Sequence, residues 1–480
     1  MNSVIGRTYE QEKLRTALER EESQLIIVSG RRRVGKTFLI NEFFDNDFAF
    51  KFTGAFNSTK KQQLKNFALE LAGRGELSSI KKAEMPEDWT EAFFMLRDHL
   101  EKHDDGKKQV VFFDEMPWMD TPKSGFLAAF EWFWNSWAGA RKNLVFIVSG
   151  SSTAWLTENI DHNKGGLFNR CTCRLYLDPF DLAETEKFLI SKNIYWSRYD
   201  IAQCYMILGG IPYYLNMLDR GYSLNENIDA LFFKKGAQLG FEFEQLYNTL
   251  FSNSDKYIKV VEALGGRRGG MTRTQISKKT GIPANGMLSA MLTNLVNSGF
   301  VRVNNEFGNK KREKSYQLSD YYTHFYLRFI ADNAGRDEHL WSNTNDNPAR
   351  RAWEGLTFEQ LCKDHIDQIK NKLGISGVMT EISSWRREGD AETGGAQIDL
   401  LIDRRDGVIN LCEIKFSNHE YEVDKEYDLS LKNKVSVFRE ATGTRKTIQV
   451  TMITTYGIKR NMYSNYVGKV IELDDLFKMP

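Results

Sequence analysis

Hydrophobic residues fall into three kinds of pattern along the chain. Short uninterrupted apolar runs, Leu25–Val28, Val110–Phe113 and Leu144–Val148, are those of strands buried on both faces of a parallel sheet. Phe130, Phe133, Trp134 and Trp137 recur at helical spacing and predict a core helix rather than a stacking platform. From about Asp255 come short helices, "KYIKVVEAL", "TRTQISKKTG" and "ANGMLSAMLTNLVNSGF", followed by a basic hairpin, "VRVNNEFGNKKREKSYQLSD". The third pattern is strict alternation in "QIDLLIDRRDGVINLCEIKF", residues 397–416. It predicts a hairpin with Ile398, Leu400 and Ile402 on one face and Asp399 on the other, and with Glu413 and Lys415 sharing a face opposite Cys412, Ile414 and Phe416. A two-residue turn would set Asp399 against Ile414. A three-residue turn, Arg405-Asp406-Gly407 with Gly407 left-handed, sets Asp399 against Glu413 and satisfies both faces.

Composition narrows this little. With 480 residues there is room for roughly three domains, and 27% charged with 41% hydrophobic residues is ordinary for a soluble globular protein. A formal net charge of +1 leaves nucleic-acid attraction to local basic patches. The five scattered cysteines form neither a disulfide frame nor a CxxC pair, and no apolar run approaches membrane-spanning length, so a cytoplasmic setting is expected.

The chemistry begins at "QLIIVSGRRRVGKTFLINEFF", where a strand meets GxxxxGK[ST] and then a helix. In that context the loop Gly30, Arg31, Arg32, Arg33, Val34, Gly35 is expected to turn its N–H groups to phosphate, with Lys36 on the terminal phosphates of ATP and Thr37 on Mg²⁺. Asp114 and Glu115 leave the end of the Val110–Phe113 strand. They suit a magnesium ligand and the base that orients attacking water.

"VIGRTYEQEKL", "SGRRRVGKT", "FFDEMPW", "VSGSS", "GGLFNR" and "GGIPYYL" together resemble the archaeal-type AAA/STAND ATPases. That resemblance implies that Ile5, Gly6 and Arg7 approach adenine and ribose, and that Gly209 to Pro212 lie in a helical lid with Pro212 near the base. The alternative role for Pro212 is an interhelical turn, and the two are compatible. It also implies that Arg170 senses γ-phosphate, in cis or from a neighbouring subunit. Ser149, Ser151 and Ser152 stand where a γ-phosphate sensor would.

The helices after Asp255 and their hairpin read as a winged helix, with Asn285, Ser289 and Asn294 as groove-facing candidates. Arg273, Lys278, Lys279, Lys310, Lys311, Arg312 and Lys314 are the expected DNA contacts, with a protein-docking role as the alternative. Residues 331–350 are polar and broken by Gly and Pro, and read as a linker. Beyond them, helix, three strands, helix, strand resembles the PD-(D/E)xK nucleases. Asp399 then matches the first acid, Glu413 and Lys415 the ExK motif and Glu359 the acid of the first helix, although Gln397-Ile398 replace the motif's proline. In such a site Asp399 and Glu413 hold Mg²⁺ while Lys415 orients water or stabilises the transition state.

The expected fold class is α/β: a P-loop NTPase parallel sheet (1–155) with a helical lid (156–225), a winged-helix domain (226–330), a linker (331–350) and a restriction-endonuclease-like α/β domain (351–480). The expected activity is ATP hydrolysis coupled to DNA binding and cleavage, in a possible homo-oligomer. The alternatives are an ATP-controlled switch that binds DNA or a partner without cutting, and a nucleotide-driven protein remodeller.

Overall fold

The computed structural model describes residues 4–73, 85–162, 165–251, 253–267, 269–308, 314–333, 337–387 and 395–479. Two compact units divide the chain, Met1–Pro179 and Phe180–Pro480.

In the first unit the apolar runs become a five-stranded parallel sheet. Its strands are β1 (Gln24–Gly30), β2 (Phe50–Thr53), β3 (Gln109–Asp114), β4 (Leu144–Gly150) and β5 (Cys173–Leu177), in the order β2-β3-β4-β1-β5. Helix α1 (Thr8–Glu19) precedes them, and between them lie α2 (Lys36–Phe43), α3 (Lys60–Gly73), α4 (Trp89–Lys102), α5 (Phe126–Ser136) and the one-turn α6 (Thr153–Leu156). Every residue of β3 and β4 is buried, as covering on both faces requires. One face packs an aromatic core of Phe52, Phe67, Trp89, Phe93, Phe113, Phe130 and Phe146, and Phe130, Phe133 and Trp134 belong to it as their spacing predicts. The sheet runs one strand past residue 155. In β5 only Leu175 and Leu177 are buried, so its "CRLYL" carries too weak a signal to be read as sheet.

The second unit opens with α7 (Leu182–Ser191), α8 (Arg198–Leu208), α9 (Pro212–Leu215), α10 (Leu224–Ile228) and α11 (Glu242–Leu250). Next come α12 (Ser254–Gly265), β6 (Met271–Thr272), α13 (Arg273–Thr280), α14 (Gly286–Asn297), β7 (Val301–Asn304) and β8 (Ser315–Leu318), whose strands form an antiparallel sheet in the order β6-β8-β7. After α15 (Tyr321–Phe325) the described part of the expected linker, residues 337–350, is packed and contains α16 (Leu340–Asn343). Trp341 is fully buried and its backbone N–H donates to Asp229 at 2.9 Å. Arg350 stacks on its ring at 3.7 Å and pairs with Glu354 at 3.0 Å. Composition suggests a linker here because the carboxylate that satisfies the start of α16 comes from a residue 112 positions earlier.

The rest comprises α17 (Pro348–Asp364), α18 (Ile366–Leu373), β9 (Thr380–Arg387), β10 (Ala396–Arg404), β11 (Val408–Lys415), β12 (Tyr421–Glu422), α19 (Lys425–Thr442), β13 (Thr447–Thr454), β14 (Ile458–Lys459), β15 (Lys469–Glu472) and α20 (Leu473–Leu476). The five-stranded sheet runs β15-β13-β11-β10-β9, antiparallel across β9, β10 and β11 and parallel across β11, β13 and β15. Phe358 of α17 meets Phe416 at 5.0 Å on one face. On the other, Leu431, Val435 and Phe438 of α19 cover Ile398, Leu401, Ile409 and Leu411. β12 and β14 form a separate parallel ribbon.

The helix expected to continue through Ile369 breaks at His365. His365 Nε2 accepts the Leu182 N–H at 3.0 Å while Nδ1 lies 2.9 Å from the Leu361 carbonyl, an arrangement that requires the neutral ring. Burial holds its pKa below the ordinary 6.5. The unfolded chain therefore binds the proton more readily, and stability is lost as the pH falls below 6.5 toward the folded value. We expect the urea midpoint to drop between pH 7.5 and roughly pH 5.5, and to drop less in His365→Gln, which keeps an acceptor for Leu182.

Candidate active sites

The sheet order of the first unit assembles the phosphate loop. Because β4 lies between β3 and β1, the ends of three strands stand side by side, with Phe113 level with Val148 and Val28 level with Ser149. Gly30 has φ 139°, and a Cβ there would collide with the Leu177 carbonyl, so only glycine lets β1 enter the loop. The loop runs into the N-terminus of α2, where Lys36 is buried and donates to the carbonyls of Gly30 at 3.0 Å and Arg31 at 2.9 Å and to Ser151 Oγ at 3.1 Å. The Thr37 hydroxyl donates to Asp114 at 2.8 Å, and Ser149 donates to the other oxygen of the same carboxylate. Glu115, in a left-handed turn at φ 49°, accepts from the Ser151 N–H at 3.0 Å and from its hydroxyl at 2.7 Å. Thr37 and Asp114 thus bring two oxygen donors together, a set suited to magnesium. Ser151 links the lysine and the acid.

Burial lowers the Lys36 pKa to about 8, against the raising effect of Glu115 and Asp114. A lysine that meets phosphate must be charged, so nucleotide binding above that pH takes up a proton. The Kd of a fluorescent ATP analogue is expected to be flat near neutrality and to rise by up to about tenfold per pH unit above the lysine's pKa.

Gly6 and Arg7 both have positive φ. Arg7 is buried and donates to the carbonyls of Val34 at 3.3 Å and Asp178 at 2.6 Å, tying the Ile5–Arg7 turn to the phosphate loop. Arg31 is buried, while Arg32 and Arg33 are half-buried, with Arg33 at φ 72°. Arg170 lies elsewhere. It precedes β5, and the Thr172 N–H bonds Leu25 at the start of β1, whereas the phosphate loop leaves its end, some five residues or roughly 16 Å away. Arg170 is exposed, with Nε 3.4 Å from the Gly166 carbonyl, and within its own chain it is not placed at the phosphate loop. Pro212 opens α9 in the second unit.

In the second unit the hairpin turns through residues 405–407 with Gly407 at φ 87°, in the expected register. Leu400 pairs with Cys412 and Leu401 with Leu411, and the ladder ends there, at the bulge that carries Asp399. The alternation is not strict. A bulge between Ile398 and Leu401 against β9 adds a residue, so Ile398 and Leu401 share the core under α19, correcting the expectation that Ile398, Leu400 and Ile402 form one stripe. Glu413 and Lys415 do share a face. Glu413 is buried, accepting from Lys434 Nζ at 2.7 Å and the Tyr427 hydroxyl at 3.0 Å, and Lys415 Nζ lies 5.0 Å from the centre of the Tyr427 ring. Asp399 accepts from Gln397 at 2.5 Å and lines a cavity with Glu359 and Lys363 of α17. The charges of Asp399 and Glu359 both bear on Lys363, whose pKa burial lowers. Those of Glu413 and Asp399 both bear on Tyr427, whose pKa burial raises. Among the described residues no three His, Cys, Asp or Glu side chains gather as a metal cage. Lys434, Tyr427, Gln397 and Lys363 were not anticipated. Lys434 stands on α19 at no motif spacing, and only the packing of that helix brings it to Glu413.

The expected DNA contacts divide. Lys310, Lys311 and Arg312 lie outside the described residues. Lys278 and Lys314 are exposed, whereas Lys279 donates to the Ala263 carbonyl at 2.9 Å and Arg273 to Ser289 at 2.8 Å. The groove-facing candidates are used internally: Asn285 caps α14 and Asn294 bonds Tyr257 at 3.0 Å. Among the described residues no helix is long and apolar enough to cross a membrane.

An uncharacterised protein of Methanocaldococcus jannaschii is 22% identical over 437 residues, 90% of this chain and 92% of the relative. Similar solved structures include the Walker-type ATPase of Pyrococcus abyssi, with TM-score 0.49, 20% identity and coverage of 68% of this chain and 96% of that one. The ADPNP-ADP complexes of Aeropyrum pernix ORC2 give TM-score 0.41, 12% identity and coverage of 68% and 94%. Residues 5–218 match the family described as an ATPase domain predominantly from Archaea, so the chain carries an ATP-binding P-loop ATPase domain of the archaeal type.

Proposed function

We propose that this chain is a DNA-processing enzyme in which the ATPase domain serves a metal-dependent phosphodiester hydrolase built on β10, β11 and α17. The carrying observation is that Asp399 and Glu413 each stand one residue beyond the last β10–β11 pair, Leu400–Cys412, with Lys415 two residues further on. Two carboxylates on paired strands suit Mg²⁺, which keeps part of its water shell and so needs no cage of three side chains. Such an ion would supply charge neutralisation and an acidified water. Asp399 and Glu413 would hold it, Lys415 would steady the developing phosphate charge, and Glu359 would bound the site from α17. In the ATPase domain Thr37 and Asp114 would hold the nucleotide's magnesium and Glu115 would orient water. The α12–β8 segment serves as a winged helix, with Lys278 and Lys314 as phosphate contacts. Arg170, remote from its own phosphate loop, would act on a neighbour's nucleotide in a homo-oligomer. The free thiols suit a reducing cytoplasm.

One observation favours a second reading, an ATP-controlled switch that binds without cutting: Glu413 is already neutralised by Lys434 and bonded to Tyr427. Incubation with single-stranded, duplex and branched DNA, with and without ATP and with Mg²⁺ or Mn²⁺, decides between them. Cleavage lost in Asp399→Ala supports the hydrolase, and binding without cleavage under every condition supports the switch.

A further inference from the structure

The β7–β8 hairpin does not project freely. Just beyond β7 it pairs with β9, the edge of the C-terminal sheet: the Phe307 N–H donates to the Ser384 carbonyl at 2.8 Å, and the Ser384 N–H donates to the Asn305 carbonyl at 3.0 Å. Glu306 and Ser384 form a parallel bridge. Phe307 packs into the core under α19, 5.1 Å from Phe438, and Arg302 pairs with Asp364 of α17 at 2.7 Å. An edge strand that would otherwise offer unpaired backbone groups is thereby covered. These contacts wall a cavity of about 1580 Å³ between the hairpin, α17 and β9–β10. Glu359 and Asp399 line it, together with the exposed Arg267, Lys314, Arg386 and Arg405.

We propose that this cavity is a binding cleft for a single strand of nucleic acid, and that the hairpin is its fixed wall rather than an arm that opens to grip duplex. The proposal rests on the reading of Asp399 and Glu359 as facing a phosphodiester. The four cations supply sequence-independent phosphate contacts, and they come from the α12–β6 loop, the β7–β8 hairpin, β9 and the β10–β11 turn, which the hairpin's docking holds around one cavity. The cavity is larger than the roughly 300–1,000 Å³ of small-ligand pockets. That volume takes a few linked nucleotides, whereas a turn of duplex is about 34 Å long. The chemistry recognised is a flexible polyanion with bases exposed, as single-stranded DNA and RNA both provide.

Fluorescence anisotropy of labelled single-stranded DNA, single-stranded RNA and duplex DNA in EDTA tests this on the full chain without requiring catalysis. Replacing Arg267, Lys314, Arg386 and Arg405 together by Ala is expected to weaken single-strand binding at least tenfold. The same change should flatten the log–log salt slope by about 0.7 per lost contact and leave ATP hydrolysis unchanged. A disulfide between Glu306→Cys and Ser384→Cys should lock the hairpin, and the oxidised protein should bind single strands as tightly as the reduced one. Wild-type binding by the four-fold variant would overturn the proposal. So would loss of binding on oxidation that reverses on reduction, or binding of duplex alone that depends on Lys278. Binding that follows the four cations without cleavage in Mg²⁺ or Mn²⁺ would retain the cleft and remove the hydrolase. Cleavage indifferent to them would do the reverse.

Discussion

Lys36→Ala is expected to abolish measurable ATP binding, and Glu115→Gln to bind ATP while turning it over about 10²–10⁴-fold more slowly, the usual range for losing a positioned base. The two differ because the residues do different work. Lys36 is the buried cation that loop carbonyls and Ser151 aim into the phosphate loop, and its removal leaves those carbonyls facing phosphate. Glu115 binds no phosphate. It accepts two hydrogen bonds from Ser151, which fix the carboxylate beside the loop. Ser151→Ala removes the hydroxyl shared by both and leaves the backbone bond to Glu115, so its loss should be smaller than that of Glu115→Gln. Equilibrium binding of a fluorescent ATP analogue, with phosphate release under single-turnover conditions, separates these effects. Native turnover in both Lys36→Ala and Glu115→Gln would refute this account of the site.

Asp399→Ala is expected to remove DNA cleavage by at least about 10²-fold, the scale of losing one electrostatic element of a hydrolytic site, while sparing ATP hydrolysis, because Asp399 and the phosphate loop belong to different compact units. Asp399 is the informative acid. It is half-buried and, among the described residues, its hydrogen bond is to Gln397 of its own strand, so its removal costs the fold little. Glu413 is buried against Lys434, and Glu413→Ala strands that ammonium. Because Lys434 keeps some access to water, we expect a loss of about 1–3 kcal/mol of stability, below the range for fully buried pairs. Urea unfolding of both variants beside the cleavage assay separates lost chemistry from lost fold. Lys434→Met, which releases Glu413, should raise cleavage if the ion pair restrains the acid, and should leave it unchanged if Lys434 only packs.

By itself the sequence determined what depends on local spacing. The phosphate loop, the acids at the end of β3, the aromatic core helix and the three-residue turn of the β10–β11 hairpin all follow from periods and turn chemistry within a few residues. Contacts between residues far apart in sequence were left to the tertiary structure. That Ser151 sits between Lys36 and Glu115 depends on β4 lying between β3 and β1, which no local pattern encodes. The bulge at Ile398 and Leu401 shifts the faces of β10 through pairing with β9, so alternation read along one strand could not reveal it. Residues 331–350 read as a linker because the backbone N–H of Trp341 finds its partner in Asp229, 112 residues earlier. Lys434 reaches Glu413, and Phe307 reaches Phe438, only when whole elements pack, since side-chain burial is a property of neighbours in space and the spacing along the chain carries no trace of them.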